Sequence, residues 1–360
     1  MIEVCPFVEK ILFALVALKR LFGYAGCHML IFSLQWRGGQ AVADRIFLHK
    51  DSPLVFLSLG DWGIGGGAQN KVGQQMGLAA KAHRASFVIG LGDNFYWKGV
   101  EALNDTQFVS KFETVYTHPA IKRIPWYMSL GDHDHLGSVQ AQVNYTRRSR
   151  RWRMPAPYFS KSFPLKGGNS AKLVVVDSVG LEGALVEDRG KEIRMGRQMS
   201  EHFTGREAGE KQWRWLEAQL ADPRPQWLLV AGHKPVVSSC DRDRFRGDKL
   251  VQQKLEELMS RYPVDVYMHG HDHSAQHTVH RGTHHIGNGI GGFGLHRVMA
   301  PEQRHAGLQW ISGDGLNPFH GFFLGDISEF EMNLNWYDAT GSVRHNVTIQ
   351  PRARNSSMEA

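Results

Sequence analysis

The chain of 360 residues is predicted to adopt an α/β fold. Two observations carry that prediction. From residue 51 onward, short apolar runs alternate with longer stretches of helical spacing, the pattern of strands joined through helices. Four of six such runs are followed directly by Gly and then Asp or His, and a fifth reaches Gly-His one residue later, as happens where strands deliver polar side chains to one edge of an open sheet.

The elements follow in order. Residues 55–59 (VFLSL), 87–91 (FVIGL), 126–130 (WYMSL), 173–176 (LVVV), 227–231 (WLLVA) and 264–268 (VDVYM) read as buried strands, because they are short, apolar and rich in β-branched and aromatic side chains. Between them, 69–83, 105–116, 210–220 and 249–261 carry helical spacing, and Asn104 is placed to cap the second of these. Residues 321–327, 330–337 and 343–349 read as an antiparallel meander. Residues 181–210 have no consistent period and read as an exposed loop or a lid over a cleft. No repeat or linker interrupts 51–350, so 51–351 is expected to be one catalytic domain, with a polar tail at 352–360.

The first 50 residues differ. Apolar residues at 11–18 (ILFALVAL) precede Lys19 and Arg20, and a second run of about 14 mostly apolar residues spans 21–34. Neither run reaches the roughly 18 residues that a membrane-spanning helix needs. With Ala41 and Ala43 in an A-x-A arrangement, 1–50 reads as a leader: an export signal or a membrane anchor. Sequons at Asn104, Asn144, Asn346 and Asn355 agree with export through a secretory pathway to a secreted or lysosome-like destination, as a glycoprotein.

Composition narrows the function. Hydrophobic residues make up 42% and aromatics 11%, ample for a packed core. A net charge of +7 at this length, scattered except at 147–153 (RRSRRWR), gives no nucleic-acid surface, and that run reads as solvated. Three cysteines, Cys5, Cys27 and Cys240, build no disulfide framework.

The chemistry sits after the strands, in GDWG at 60–63, GDNFY at 92–96, GDHDH at 131–135, GHKP at 232–235 and GHDH at 270–273. One such cluster is ordinarily a turn or a helix cap. Five in strand order converge on one crevice, with a glycine ahead of each ligand to let the backbone turn close by. Carboxylates, imidazoles and a phenol form a mixed oxygen and nitrogen donor set, too hard for copper(I) and too rich in nitrogen for calcium. Two ions bridged by one carboxylate would clamp an in-line displacement at phosphorus, which points to hydrolysis of phosphate esters.

These strings resemble the five motifs of the metallophosphoesterase superfamily, GDxG, GDNxx, GNHD, GHxP and GHxH. More closely, GDWG, GDNFYWKGV, HDHLG followed by AQVNYT, RRWRMPAPYF, VAGHKPV and GHDH are similar to those of small purple acid phosphatases of the tartrate-resistant type, over about 51–350. The resemblance implies a four-layer αββα sandwich with two central mixed sheets. It implies iron(III) held by Asp61, Asp93, Tyr96 and His273, and iron(II), zinc or manganese held by Asp93, Asp132, His233 and His271, with Asp93 as the bridge. It implies His133 as the catalytic residue that contacts phosphate and protonates the leaving group, and Arg242 as a second substrate-binding residue. The implied reaction is hydrolysis of phosphate monoesters by a hydroxide held on the metals, in a monomer.

The chain departs from that family at three positions. Asp132 stands where the family has asparagine, Arg242 where relatives of this type have histidine, and Cys240 lacks the partner of the family's disulfide once the leader is removed. Two other readings are carried: a phosphatase-like scaffold of impaired activity, attached to a membrane through the leader, and a phosphodiesterase or nucleotide pyrophosphatase, which Tyr96 disfavours.

Overall fold

In the computed structural model, the structure describes residues 31–35, 42–46, 53–183, 205–222, 225–240, 249–313 and 318–353. They fall into two units, one within residues 1–52 and one from 53 onward. In the first, β1 (Ile31–Gln35) and β2 (Val42–Ile46) pair antiparallel, Ile31 opposite Ile46. Among the described residues, no helix is long and apolar enough to cross a membrane.

The second unit holds two sheets of seven strands each. In the first sheet, the parallel strands β3 (Leu54–Leu59), β4 (Phe87–Leu91), β5 (Trp126–Ser129) and β6 (Trp152–Arg153) lie side by side. The second is built on parallel pairings of β8 (Ser170–Val175), β9 (Trp227–Ala231), β10 (Val266–His269) and β12 (Thr283–Asn288). Antiparallel partners complete it: β7 (Phe159–Pro164) on β8, and β11 (Ala275–His280) between β12 and β13 (Leu308–Ile311). The expected meander is present as β14 (Gly321–Ile327), β15 (Met332–Asp338) and β16 (Val343–Ile349), added to β3 of the first sheet. The β3, β4, β5 and β9 residues are all buried, which is why those strands read as unbroken apolar runs.

Helices flank both sheets. On the first sheet, α1 (Gly67–His83) turns Val72, Met76, Ala79 and Ala80 inward onto Val55, Leu57 and Leu324. The shorter α2 (Pro119–Lys122) and α3 (Val139–Tyr145) are capped by the side chains of His118 and Ser138. After β8 comes α4 (Ser178–Glu182), capped by Asp177. The second sheet is covered by α5 (Arg206–Leu220) and α6 (Lys249–Arg261), whose Trp213, Leu216, Leu255 and Leu258 pack on Val174, Leu228 and Val230. Between the sheets, Phe163 of β7 stacks on Phe87 of β4 with ring centroids 4.2 Å apart, and Phe87 stacks on Phe56 at 5.4 Å. The order of layers is helix, sheet, sheet, helix, as the family resemblance implies.

Two expectations need correction. Asn104 does not cap a helix over 105–116. The Asp105 carboxylate instead accepts the backbone N–H of Gln107 and of Glu101, both at 2.9 Å, and the segment winds as a π-helix at Phe108–Glu113. A carboxylate offers two acceptor oxygens at that turn where an amide offers one. The 147–153 run is not uniformly solvated either. Arg151 is buried, with its guanidinium paired to Glu113 at 3.0 Å and lying 4.3 Å over the Phe112 ring. Residues 184–204 of the expected loop and 354–360 of the tail lie outside the described residues.

Candidate metal centre

The turns after β3, β4 and β5 carry Asp61, Asp93, Tyr96, Asp132 and His133; those after β9 and β10 carry His233, His271 and His273. Asp61, Asp93 and His271 have φ of 57°, 50° and 66°. This left-handed conformation is uncommon for residues with a Cβ and gathers at functional turns. It reverses the chain immediately after each strand, so that the side chains meet over the strand ends. All are buried, His133 at 7% exposure.

Two subclusters result. In one, the Tyr96 hydroxyl donates to Asp61 Oδ1 at 2.9 Å, and His273 Nε2 lies 3.1 Å from the same oxygen and 3.3 Å from the Tyr96 oxygen. In the other, His233 Nε2 and His271 Nδ1 both lie 3.1 Å from Asp132 Oδ1 and 3.2 Å from each other. Asp93 stands between them, its Oδ1 3.4 Å from His233 Nε2. The backbone fixes two of the rings. His233 Nδ1 bonds the Leu91 carbonyl at 2.8 Å, and His273 Nδ1 bonds that of Gly294 at 2.6 Å. Donation to those carbonyls leaves each Nε2 lone pair aimed into the site, the usual arrangement of a metal-ligating histidine.

The electrostatics suit cations. Burial pushes the Asp61 carboxyl up, but His273, His233 and His271 draw it down further, well below the carboxylate range. Burial likewise opposes ionisation of Asp132, and His271 and His233 again prevail and hold it well below its ordinary value. Asp93 is raised, by burial and then by Asp132 and Asp61. Burial would lower His233, yet Asp93 and Asp132 carry it up to about 10. Burial, and then Asp61 and Asp93, raise the Tyr96 phenol well above its usual range. Asp61 and Asp132, buried and held ionised, leave negative charge in the pocket that cations would neutralise. The donor set therefore fits two metal ions, and Asp132, His233 and His271, like Asp61, Asp93 and His233, offer ligand atoms within 4.8 Å of one another.

His133 lies beside this set. Its Nδ1 bonds the Trp97 carbonyl at 2.7 Å, its backbone N–H donates to Asp93 Oδ1 at 3.0 Å, and its Nε2 stands 4.0 Å from Asp93 Oδ2. Trp97 is 60% exposed at the rim, edge-on to Phe293 at 4.9 Å. Arg242 lies outside the described residues.

Sequence reasoning missed the supports. Asp134 accepts from the backbone N–H of Gly131 at 2.8 Å, of Asn94 at 3.1 Å and of Phe95 at 3.2 Å, so one carboxylate ties the Asp93 turn to the Asp132 turn. His135 Nε2 pairs with Asp177 at 2.9 Å, which fastens the same turn to the cap of α4. The surplus Asp and His in GDHDH were the only signal of either.

The profile of the calcineurin-like phosphoesterase family matches residues 54–275. Human tartrate-resistant acid phosphatase type 5 is 32% identical over 323 residues, covering 84% of this chain and 92% of the relative. Purple acid phosphatase 7 of Arabidopsis thaliana is 28% identical, covering 84% and 88%. Among solved structures, GAP50, described as the anchor in the inner membrane complex of Plasmodium, superposes with a TM-score of 0.71 at 22% identity, over 85% of this chain and 91% of that one. The yellow lupin purple acid phosphatase PPD1 superposes with a TM-score of 0.61 at 16% identity, over 87% of this chain and 56% of that one. With the profile match, the αββα layers and the converging turns in agreement, the chain belongs to the calcineurin-like phosphoesterase family, in the group of the tartrate-resistant and purple acid phosphatases.

Proposed function

We propose that the protein is an acid phosphatase that hydrolyses phosphate monoesters at a binuclear metal centre. The observation that carries this reading is the convergence of seven buried donor side chains in two subclusters joined by Asp93, with His133 beside them. Asp61, Asp93, Tyr96 and His273 would hold iron(III); Asp93, Asp132, His233 and His271 would hold iron(II), zinc or manganese. When bound, the ions supply Lewis acidity towards the phosphate oxygens and the attacking water.

The chain's own residues do the rest. The Trp97 carbonyl holds the His133 ring through Nδ1, which leaves Nε2 to carry the proton that the departing alcohol takes. The Asp93 carboxylate accepts the His133 backbone N–H and so fixes the ring relative to the bridging side. Arg242, nine residues after His233, would grip the phosphate through its guanidinium fork without giving up a proton.

The leader at 1–50 and the sequons support export to a secreted or lysosome-like destination. Asn104 and Asn346 are exposed and Asn144 is half-buried on α3, while Asn355 lies outside the described residues. We read the enzyme as a monomeric glycoprotein without nucleic-acid partners.

The second reading is a phosphatase-like anchor held at a membrane through the N-terminal apolar runs, which the likeness to GAP50 and the replacement at Asp132 favour. One experiment separates the two: metal content of the purified chain together with turnover of an aryl phosphate from pH 4 to 8. Two metals per chain and turnover that peaks in acid support the enzyme; two metals without turnover support the anchor.

A further inference from the structure

Outside the residues assigned above, a second set of donors converges on the far side of His273. The Cys240 sulfur, a carboxylate oxygen of Asp272 and a ring nitrogen of His296 lie within 4.8 Å of one another. They come from three separate segments: the stretch after GHKP, the centre of GHDH, and the loop after β12. Cys240 is fully buried and Asp272 is 1% exposed, while His296 is half-buried.

We propose that Cys240, Asp272 and His296 form a third metal site, sulfur-containing and distinct from the binuclear centre, for a borderline or soft divalent ion such as zinc or cadmium. A thiolate in the donor set selects such ions, whereas the oxygen-rich centre next to it favours harder ones. The carboxylate is already held in place. Ser238 and the Gln276 amide both donate to Asp272 Oδ2, the latter at 3.0 Å, and Gln276 is itself fixed because its carbonyl accepts the Ser239 N–H at 3.0 Å. Such outer hydrogen bonds orient metal ligands. The Cys240 thiol donates to the Arg297 carbonyl at 3.2 Å, and on metal binding its proton leaves to solvent as the sulfur–metal bond forms.

The site is coupled to the main centre. The His296 ring stacks on that of His273 with centroids 3.9 Å apart, and its Nδ1 accepts the His273 backbone N–H at 2.9 Å. A neutral imidazole has a single lone-pair nitrogen. An ion that takes that lone pair takes it from the His273 N–H, so occupation of the third site loosens the turn that carries His273. A soft ion bound here acts as an inhibitor without touching the substrate.

The test titrates the full chain, loaded with its two metals, with cadmium chloride, and follows metal stoichiometry and the ultraviolet thiolate-to-cadmium charge-transfer band. The expected result is a third equivalent with that band. In Cys240→Ser and in His296→Gln the third equivalent weakens about 100-fold or more, beyond the roughly 10–100-fold that losing an outer partner costs, while the first two equivalents stay. The band persisting in Cys240→Ser would place it on Cys5 or Cys27 and overturn the proposal. So would loss of the first two equivalents in both variants, which would make the cluster a structural support. The stoichiometry is read without turnover, so its outcome is independent of the phosphatase assignment.

Discussion

Gly131→Ala tests how the bridging carboxylate is held. A Cβ on Gly131 would lie 2.1 Å from Asp93 Oδ1, 2.3 Å from the Asp93 backbone nitrogen and 2.9 Å from its Cγ. Those distances are roughly 1 Å or more inside van der Waals contact. A side-chain oxygen can swing away, but the backbone nitrogen cannot, because the Asp93 turn is also bound through Asn94 and Phe95 to Asp134. The strain should cost about 1–3 kcal/mol. At about 2–4 °C per kcal/mol, melting should fall by roughly 2–12 °C. The larger effect is on chemistry, since moving a reacting group by about 1 Å costs on the order of 100-fold in rate. Calorimetry, metal analysis and kcat/KM on an aryl phosphate read all three quantities. Gly67→Ala is the control, since its Cβ would meet nothing within 4 Å. If Gly131→Ala kept both metals and stayed within about threefold of the parent kcat/KM, the close approach would not position the bridge, and the reasoning would fail.

Three more predictions concern single side chains. Tyr96→Phe should remove the visible iron(III)–phenolate band from the oxidised protein, since Tyr96 Oη lies within 3.3 Å of both Asp61 Oδ1 and His273 Nε2; an unchanged band in an iron-replete variant would take Tyr96 out of the ligand set. Asp132→Asn removes one negative charge from the subcluster of His233 and His271, so the divalent ion should bind less firmly but polarise water more, raising kcat/KM and moving the acidic limb of the rate profile to lower pH; a loss of tenfold or more with both metals retained would contradict this. His277→Gln should flatten the loss of stability in acid. Burial, then His284 at 2.9 Å and His345, push His277 from its ordinary 6.5 down to about 3. The unfolded chain therefore takes up a proton that the native chain refuses: the stability is present above pH 6.5 and is lost as pH falls towards 3, by at most about 4–5 kcal/mol. Melting curves between pH 7 and 4 that stay parallel for parent and variant would rule it out.

How much could be read in advance follows from what each element buries. Strands covered on both faces are unbroken apolar runs, so β3, β4, β5 and β9 were visible, and with them the ligand turns that follow. The hairpin of β11 and β12 was not, because AQHTVH and THHIGN put histidines into a buried sheet and show no apolar alternation. Asp134 escaped notice for a different reason. Two of its partners are backbone N–H groups about 40 residues away, and no sequence pattern marks where a carboxylate finds amide donors across a fold.

The origin of the ligands has a consequence for how the molecule assembles. All the oxygen donors, Asp61, Asp93, Tyr96 and Asp132, belong to one sheet, and all the imidazoles, His233, His271 and His273, belong to the other. Each sheet alone is half a chelator of one chemical kind, unable to satisfy a binuclear centre. The halves are brought into register where Gly60 bonds Asn288 and Gly291 across the seam, each at 2.9 Å, and a Cβ on Gly60 would come within 3.1 Å of the Gly270 Cα. A metal ion bound there is a tie across the seam that exists only in the docked state, worth about 4 kcal/mol when present at 1,000 times its dissociation constant. Metal content thus reports the completion of folding, and a chain starved of metal during maturation should come apart first between its two sheets.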